Sequence, residues 1–271
     1  MNEIVAERDR SVVRRVGDDV VKEYRRPDPR NEVERQAYEH LAGYAAPVPA
    51  YRASRDGSLV LEDVRPFTDY EAVLRSGDAA AATRALGQAY AALHDVPPPG
   101  PVMERPLPVD GLARWCEAVG VAVPDLRAAA QAFDEPGAML AFSHGDPAPS
   151  NALLRANGDV VLIDFEYAGS RHRGYDIAAW HVLCPLEEPL LAALHDGYGR
   201  EIDDFDALIA WRAAQVFAMV PLSVLEIDRD FAPGWSSRAA IVTAARRSCL
   251  NQLHDALASH FPEAVDQLPV W

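Results

Sequence analysis

Lysine is almost absent from this chain. Lys22 is its only one, and the other twenty-five of its 26 Lys-plus-Arg residues are arginines. Cysteine is scarce too: Cys116, Cys184 and Cys249 are odd in number and widely separated. That spacing excludes a disulfide framework and a cysteine metal site, leaving reduced structural thiols. No apolar run reaches membrane-spanning length, and Met1-Asn2-Glu3 begins no signal peptide. Internal repeats and low-complexity tracts are missing as well. Ala79–Ala82 reads as an alanine-rich helix start and Pro97-Pro98-Pro99 as a short break. A soluble cytoplasmic protein with one large core or two modest ones is expected from 271 residues at 49% hydrophobic composition.

Positive charge is also in deficit. The formal net charge is −15, from 26 basic and 41 acidic residues. Residues 1–65 are nearly balanced, with 12 basic and 13 acidic, so the remainder carries 14 and 28. An acidic surface of this kind disfavours nucleic acid and anionic membranes and attracts cations. Amino sugars and choline-like amines are small molecules that would suit it, although the same charge also serves ordinary solubility.

What is present is concentrated between Phe142 and Phe165. The stretch reads His144-Gly145-Asp146-Pro147-Ala148-Pro149-Ser150-Asn151, then a polar turn, then Val160-Val161-Leu162-Ile163-Asp164-Phe165-Glu166. Gly145, Pro147 and Pro149 preclude regular helix or strand and fix a rigid loop. Ala152–Leu154 is strand-like, and Ala156-Asn157-Gly158-Asp159 is a strong turn signal before the next strand. A hairpin results that returns Asp164 toward Asn151. An Asp with an Asn five residues on, and a second Asp eighteen residues after the first, suits phosphoryl transfer from a nucleotide–metal complex. One carboxylate takes the acceptor's proton, while the Asn and the other carboxylate hold the metal. Such oxygen ligands favour Mg2+, which keeps some waters and leans on substrate phosphates.

These residues carry a resemblance. His-Gly-Asp-x-x-x-x-Asn followed by Ile-Asp-Phe-Glu is similar to the aminoglycoside phosphotransferase and choline kinase family, small-molecule relatives of the protein kinases. Asp164-Phe165-Glu166-Tyr167-Ala168-Gly169 with Arg173-Gly174-Tyr175-Asp176-Ile177-Ala178 resembles the choline kinase version in particular. The resemblance implies Asp146 as catalytic base and Asn151 and Asp164 as Mg2+ ligands. It also implies Asp176 as a structural acid supporting the catalytic loop, and His144 as a residue that orients that loop.

The family requires a lysine on an early strand and a glutamate on the following helix. Val20-Val21-Lys22-Glu23-Tyr24 has strand composition, and a lone lysine in an arginine-only chain suggests a slot for a slim point charge. Val33, Ala37, Tyr38 and Leu41 recur at helical spacing over 31–42, with Asn31 as the expected N-cap and Glu34 as the lysine's partner. Arg10–Asp19 reads as strand, turn, strand and resembles the family's nucleotide-covering hairpin, without a Gly-x-Gly-x-x-Gly. Ser11 is its candidate phosphate contact. By family position Ser58–Val64 leads into the hinge, where the backbone of Glu62 to Val64 faces the base.

Further helices are expected at 78–94, 111–121, 124–133, 175–183, 189–198, 203–226 and 236–257. Trp180, Trp211, Trp235, Trp271, Tyr167 and Tyr198 are candidates for an acceptor wall only if two or three converge; taken singly, each is read as a core residue. Glu187, Glu188, Glu226, Asp228 and Asp230 read first as solvated helix-end or loop charges, with an acceptor role as the alternative for some of them. No activation segment of protein-kinase length fits between Asp164 and the helix after Asp176.

The resemblance thus implies an α+β, two-lobed protein-kinase-like fold. A small β-rich N-terminal lobe (1–64) carries nucleotide-binding residues, and a larger, mostly helical C-terminal lobe (65–271) carries catalysis and the acceptor. The expected enzyme is a Mg2+-dependent O-phosphotransferase using ATP or GTP. Its expected acceptor is an aminoglycoside-like or other antibiotic or natural product. A choline- or ethanolamine-type kinase and a nucleotide-binding protein without transfer activity are the alternatives.

Overall fold

The computed structural model describes residues 2–7, 10–55, 57–76, 79–99, 140–182, 186–206, 208–209 and 212. The chain divides into two compact units. The first comprises residues 1–104, 141–170 and 192–200, and the second residues 105–140, 171–191 and 201–271. Three of the expected helices (111–121, 124–133 and 236–257), most of 203–226 and all three cysteines lie outside the described residues.

The first unit is built on a five-stranded antiparallel sheet. Its strands are β1 (Asn2–Glu7), β2 (Ser11–Val16), β3 (Asp19–Tyr24), β4 (Tyr51–Arg55) and β5 (Ser58–Glu62), in the order β1-β2-β3-β5-β4. Gly17 at φ 66 makes the tight link that pairs Val16 with Asp19, because a left-handed residue suits the right-handed twist of the flanking strands. Lys22 therefore sits on the central strand, opposite Val13 on one side and Leu59 on the other.

Helix α1 (Pro29–Leu41) starts two residues earlier than its apolar periodicity implies. Asp28, not Asn31, is the N-cap: its Oδ1 accepts from the Arg30 N–H at 3.0 Å. Pro29 follows at the first helical position, where its missing N–H costs nothing and its fixed φ fits the helix. Asn31 instead donates its side-chain amide to the Arg26 carbonyl at 3.0 Å. Glu34, Ala37, Tyr38 and Leu41 are the residues α1 buries, at helical spacing.

A second, three-stranded antiparallel sheet is formed by β6 (Phe67–Asp69), β8 (Ala152–Arg155) and β9 (Val160–Leu162), ordered β6-β8-β9. Val64, Leu153 and Val161 cluster there with Phe67 and Ile163. Short helix α2 (Tyr70–Ser76) follows β6 directly. Strand β7 (Leu140–Ser143) ends immediately before His144, as its apolar run implies.

Helix α3 (Ala80–His94) buries Leu86, Gly87, Tyr90 and Leu93 along one face. It lies against the end of a later helix numbered α5 (Glu188–Tyr198) so closely that backbone meets backbone. A Cβ on Gly87 would stand 2.2 Å from the Leu194 carbonyl oxygen, and one on Gly197 would stand 1.9 Å from that of Arg84. His94 Nδ1 and the Tyr198 hydroxyl share a buried hydrogen bond of 2.9 Å beside this crossing. In the second unit, β10 (Gly169–His172) runs in from the first unit and α4 (Tyr175–Val182) follows it. Gly174 packs there against Ile202 and Leu208, and the guanidinium of Arg212 lies 3.9 Å from the Tyr175 ring centroid.

Gly87→Ala should therefore destabilise the fold by about 1–3 kcal/mol, the usual cost of overpacking. Chemical denaturation would measure it, with Ala89→Gly as a control that alters helix propensity without adding volume. A neutral Gly87→Ala would mean that the two helices separate freely.

Candidate functional site

The first unit encloses a cleft of about 390 Å³ whose lining includes Ser11, Lys22, Glu34, Val64, Asn151 and Asp164. Its apolar walls come from Val13 and Val20 of the five-stranded sheet and from Leu153 and Ile163 beside the three-stranded one. At its polar end, the Lys22 ammonium donates to both Glu34 oxygens, at 2.9 and 2.7 Å, and to Asp164 Oδ1 at 2.7 Å. One cation thus spans two carboxylates from separate elements.

The burial of this cluster shapes its electrostatics. Glu34 is 1% exposed, and that burial pushes its carboxyl up; Lys22 opposes the rise and the Asp164 charge adds to it. Burial alone would lower the Lys22 ammonium, but the charges of Glu34 and Asp164 outweigh it and the net direction is up. Lys22 therefore stays charged throughout the neutral range. Tyr24, two residues along the strand and hence on the same face, donates its hydroxyl to Glu34 Oε2 at 2.8 Å. Its phenol is held far above its ordinary range by burial first and then by the Glu34 charge. On α1, Tyr38 lies one turn beyond Glu34, where burial first and then the Glu34 and Asp164 charges raise its phenol. Sequence reasoning passed over both tyrosines, although strand spacing from Lys22 and helix spacing from Glu34 mark them.

The second half of the cluster comes from the loop after β7. His144 is fully buried; its Nε2 meets the Ile163 carbonyl at 2.8 Å, and its Nδ1 accepts from the Asp146 N–H at 3.3 Å. Those partners assign a neutral ring with the proton on Nε2. The imidazole thereby ties the Asp146 loop to the strand leading to Asp164. A single 3-10 turn (Pro149–Asn151) ends the loop. Asn151 Nδ2 donates to the Asp146 carbonyl at 2.9 Å and more weakly to Asp146 Oδ2 at 3.3 Å. The Ile163 N–H donates to the Asn151 carbonyl at 3.0 Å, which extends the β8–β9 ladder and brings Asn151 and the Asp164 segment side by side. Asp164 has φ 68, a left-handed backbone that Asp tolerates better than most residues.

The other sequence candidates are placed as follows. Ser11 lines the cleft at the start of β2. In the segment expected to be the hinge, the Glu62 N–H bonds the Ala50 carbonyl and the Asp63 N–H bonds the Asp18 carbonyl, and Val64 lines the cleft. The Glu62 carboxylate turns to the Ala50 N–H and to Arg155. Asp176 is wholly buried in the first turn of α4, in the second unit. Trp180 and Tyr198 are core residues and form no open aromatic wall, while Tyr167 is half-buried and accepts a hydrogen bond from Arg30. Trp211, Trp235, Trp271, Glu226, Asp228 and Asp230 lie outside the described residues.

Among the described residues no group of three His, Cys, Asp or Glu forms a preset metal cage. The donor set of one carboxylate (Asp164) and one amide oxygen (Asn151) fits Mg2+, a hard ion completed by water and phosphate oxygens. The Asp164 carboxylate already attracts a cation here, the Lys22 ammonium.

A strand lysine bonded to a helix glutamate and to Asp164, with Asn151 on the same cleft and Asp146 hydrogen-bonded to Asn151, brings together the residue types that phosphoryl transfer uses. The family model described as "APH: Phosphotransferase enzyme family" matches residues 2–215, and the chain belongs to this family. It is a small-molecule phosphotransferase with a protein-kinase-like α+β fold. No curated protein matches the sequence closely enough to count as a relative. Among solved structures, a choline/ethanolamine kinase family protein from Mesorhizobium loti is similar at 18% identity and TM-score 0.66, over 96% of this chain and 92% of that one. A macrolide 2'-phosphotransferase, MphH from Brachybacterium faecium, gives 17% and 0.52 over 92% and 91%. APH(2")-IIa, in a ternary complex with streptomycin and ATP, gives 12% and 0.55 over 80% and 84%.

Two substitutions should separate the parts of the cluster. Lys22→Met leaves Glu34 and Asp164 facing each other without a cation and should cost about 3–5 kcal/mol, as for a broken buried ion pair. Tyr24→Phe removes one hydrogen bond to the Glu34 carboxylate and should cost about 1.5–3 kcal/mol. Urea denaturation would rank them, and the reverse ranking would contradict Lys22 as the keystone.

Proposed function

We propose that this phosphotransferase moves the γ-phosphate of ATP or GTP to a hydroxyl of a small molecule in a Mg2+-dependent reaction. The observation that carries the proposal is the convergence of Lys22, Glu34, Asn151 and Asp164 on one cleft, with Asp146 hydrogen-bonded to Asn151 beside it. In this reading Lys22, positioned by Glu34, binds the donor phosphates, and Val64 offers its backbone to the base between apolar walls. Asn151 and Asp164 would hold Mg2+, which when bound neutralises phosphate charge during transfer. Asp146 accepts the proton of the acceptor hydroxyl through its carboxylate. His144 holds that loop in place and transfers no proton, since both ring nitrogens are committed to backbone groups. Asp176 is read as a structural acid, in keeping with its burial.

For the acceptor we favour an aminoglycoside-like or other hydroxylated natural product, so that the activity would serve antibiotic resistance in the cytoplasm. The excess of acidic residues after residue 65 supports a cationic acceptor. Among the described residues no helix is long and apolar enough to cross a membrane. A choline- or ethanolamine-type acceptor is the second reading. It draws on the Asp164–Ala178 motif and on the likeness to the choline/ethanolamine kinase family protein. Membership of a phosphotransferase family stands against a protein that only binds nucleotide.

Asp146→Asn should lower turnover by at least about a hundredfold, the scale of general-base catalysis, while nucleotide still binds. A γ-phosphate transfer assay over aminoglycosides, macrolides, choline and ethanolamine, with mass detection of product, measures the first effect and identifies the acceptor. Near-normal turnover by the variant would remove Asp146 from its role. Asp164→Ala should abolish Mg2+-dependent nucleotide binding, and calorimetry finding unchanged affinity would overturn the metal assignment.

A further inference from the structure

At the amino end of α1, five side chains close a ring that the catalytic reading leaves without a task. Arg10, immediately before Ser11, grips Glu166 with Nη2 at 2.8 and 3.1 Å and reaches Asp28 with Nη1 at 3.2 Å. Asp28, the α1 N-cap, is held in turn by Arg30, through Nη2 at 2.6 Å and Nε at 3.0 Å. Arg30 Nη1 then donates to the Tyr167 hydroxyl at 2.8 Å, and its guanidinium stands 5.7 Å from that ring's centroid. Glu166 and Tyr167 are neighbours in sequence, so the circuit closes through their peptide bond. Two cations and two anions balance within it.

The ring ends two residues from Asp164. Each residue of the segment 164–167 has its own restraint on the unit. Asp164 bonds Lys22; Phe165 is buried with its ring 5.3 Å from Tyr38 and 4.5 Å from His144; Glu166 bonds Arg10; Tyr167 bonds Arg30. A left-handed backbone at a non-glycine residue persists only where its surroundings over-determine it. The restraint from Lys22 is also the one that Mg2+ would compete for, because both cations claim the Asp164 carboxylate. With metal bound, the ring and Phe165 are what keep the segment registered against α1, the helix that carries Glu34 and Tyr38.

We propose that Arg10, Asp28, Arg30, Glu166 and Tyr167 form a positioning ring that fixes the Asp164 segment to α1 and so sets the affinity of the metal–nucleotide site. None of the five touches the reacting groups; they act through Asp164. The inference rests on the reading of Asp164 as a metal ligand. It predicts an effect on metal use larger than the effect on folding, since partly exposed ion pairs contribute little to stability alone.

The test is a Mg2+ titration of ATP and GTP binding, followed calorimetrically, for the parent chain, Arg10→Gln, Glu166→Gln and the double variant, with thermal midpoints alongside. Each single variant should raise the half-saturating Mg2+ concentration by about fivefold, and the double should be no worse than either single, as expected of partners in one interaction. Arg10→Lys should recover part of the loss while thermal midpoints stay within a few degrees of the parent. Half-saturation within twofold of the parent in both singles would overturn the ring, as would effects that multiply in the double. A parent chain that binds neither nucleotide with Mg2+ would instead overturn the metal reading on which the ring depends.

Discussion

A single ammonium shared between two carboxylates holds the site together. Lys22 and Asp164 stand 142 residues apart in sequence, and Glu34 comes from a third element. The contact therefore fixes strand β3, helix α1 and the end of the β8–β9 hairpin relative to one another. Burying so much charge is costly unless every partner is met, and here every partner is. Glu34 accepts from Lys22 and Tyr24, and Lys22 donates to two carboxylates. An arginine in that slot would replace a compact ammonium with a planar fork of fixed donor directions. The chain's habit of using arginine for every other cation makes this exception physically intelligible.

Around that contact the site is organised more by backbone than by tuned acidity. The Asp146 loop is stiffened by Gly145, Pro147 and Pro149, closed by Asn151 and strapped by His144 to the strand that delivers Asp164. Phosphoryl transfer asks little covalent chemistry of the protein and much positioning. A buried histidine that bonds two backbone groups is well suited to that demand. It would be poorly suited to carrying protons.

Much of the site was legible because its residue types are unusual in combination. The spacing of Asp146, Asn151 and Asp164, the solitary Lys22 and a helix presenting Glu34 each narrow the chemistry before any coordinates are seen. The hairpin was legible from Asn157-Gly158 between two apolar runs. The start of α1 was misplaced because Asn31 sits next to the apolar stripe, whereas the stronger signal, Asp28 followed by Pro29, lies outside it. Strand β4, Tyr51-Arg52-Ala53-Ser54-Arg55, is short, polar and at the edge of its sheet, and nothing in its composition distinguishes it from a loop. The burial of Trp180 and Tyr198 agrees with the core reading of single aromatics, whereas the meeting of Arg10 with Glu166, 156 residues away, is a product of tertiary packing and leaves no local trace.

The solitary lysine also makes the protein its own reporter. Any isotope introduced through lysine enters the chain at one position, and that position is the Lys22 ammonium between Glu34 and Asp164. A lysine-labelled sample would give a single side-chain resonance in a magnetic-resonance spectrum, with no assignment to make. Its shift would follow the exchange of carboxylate partners for phosphate as ligands arrive.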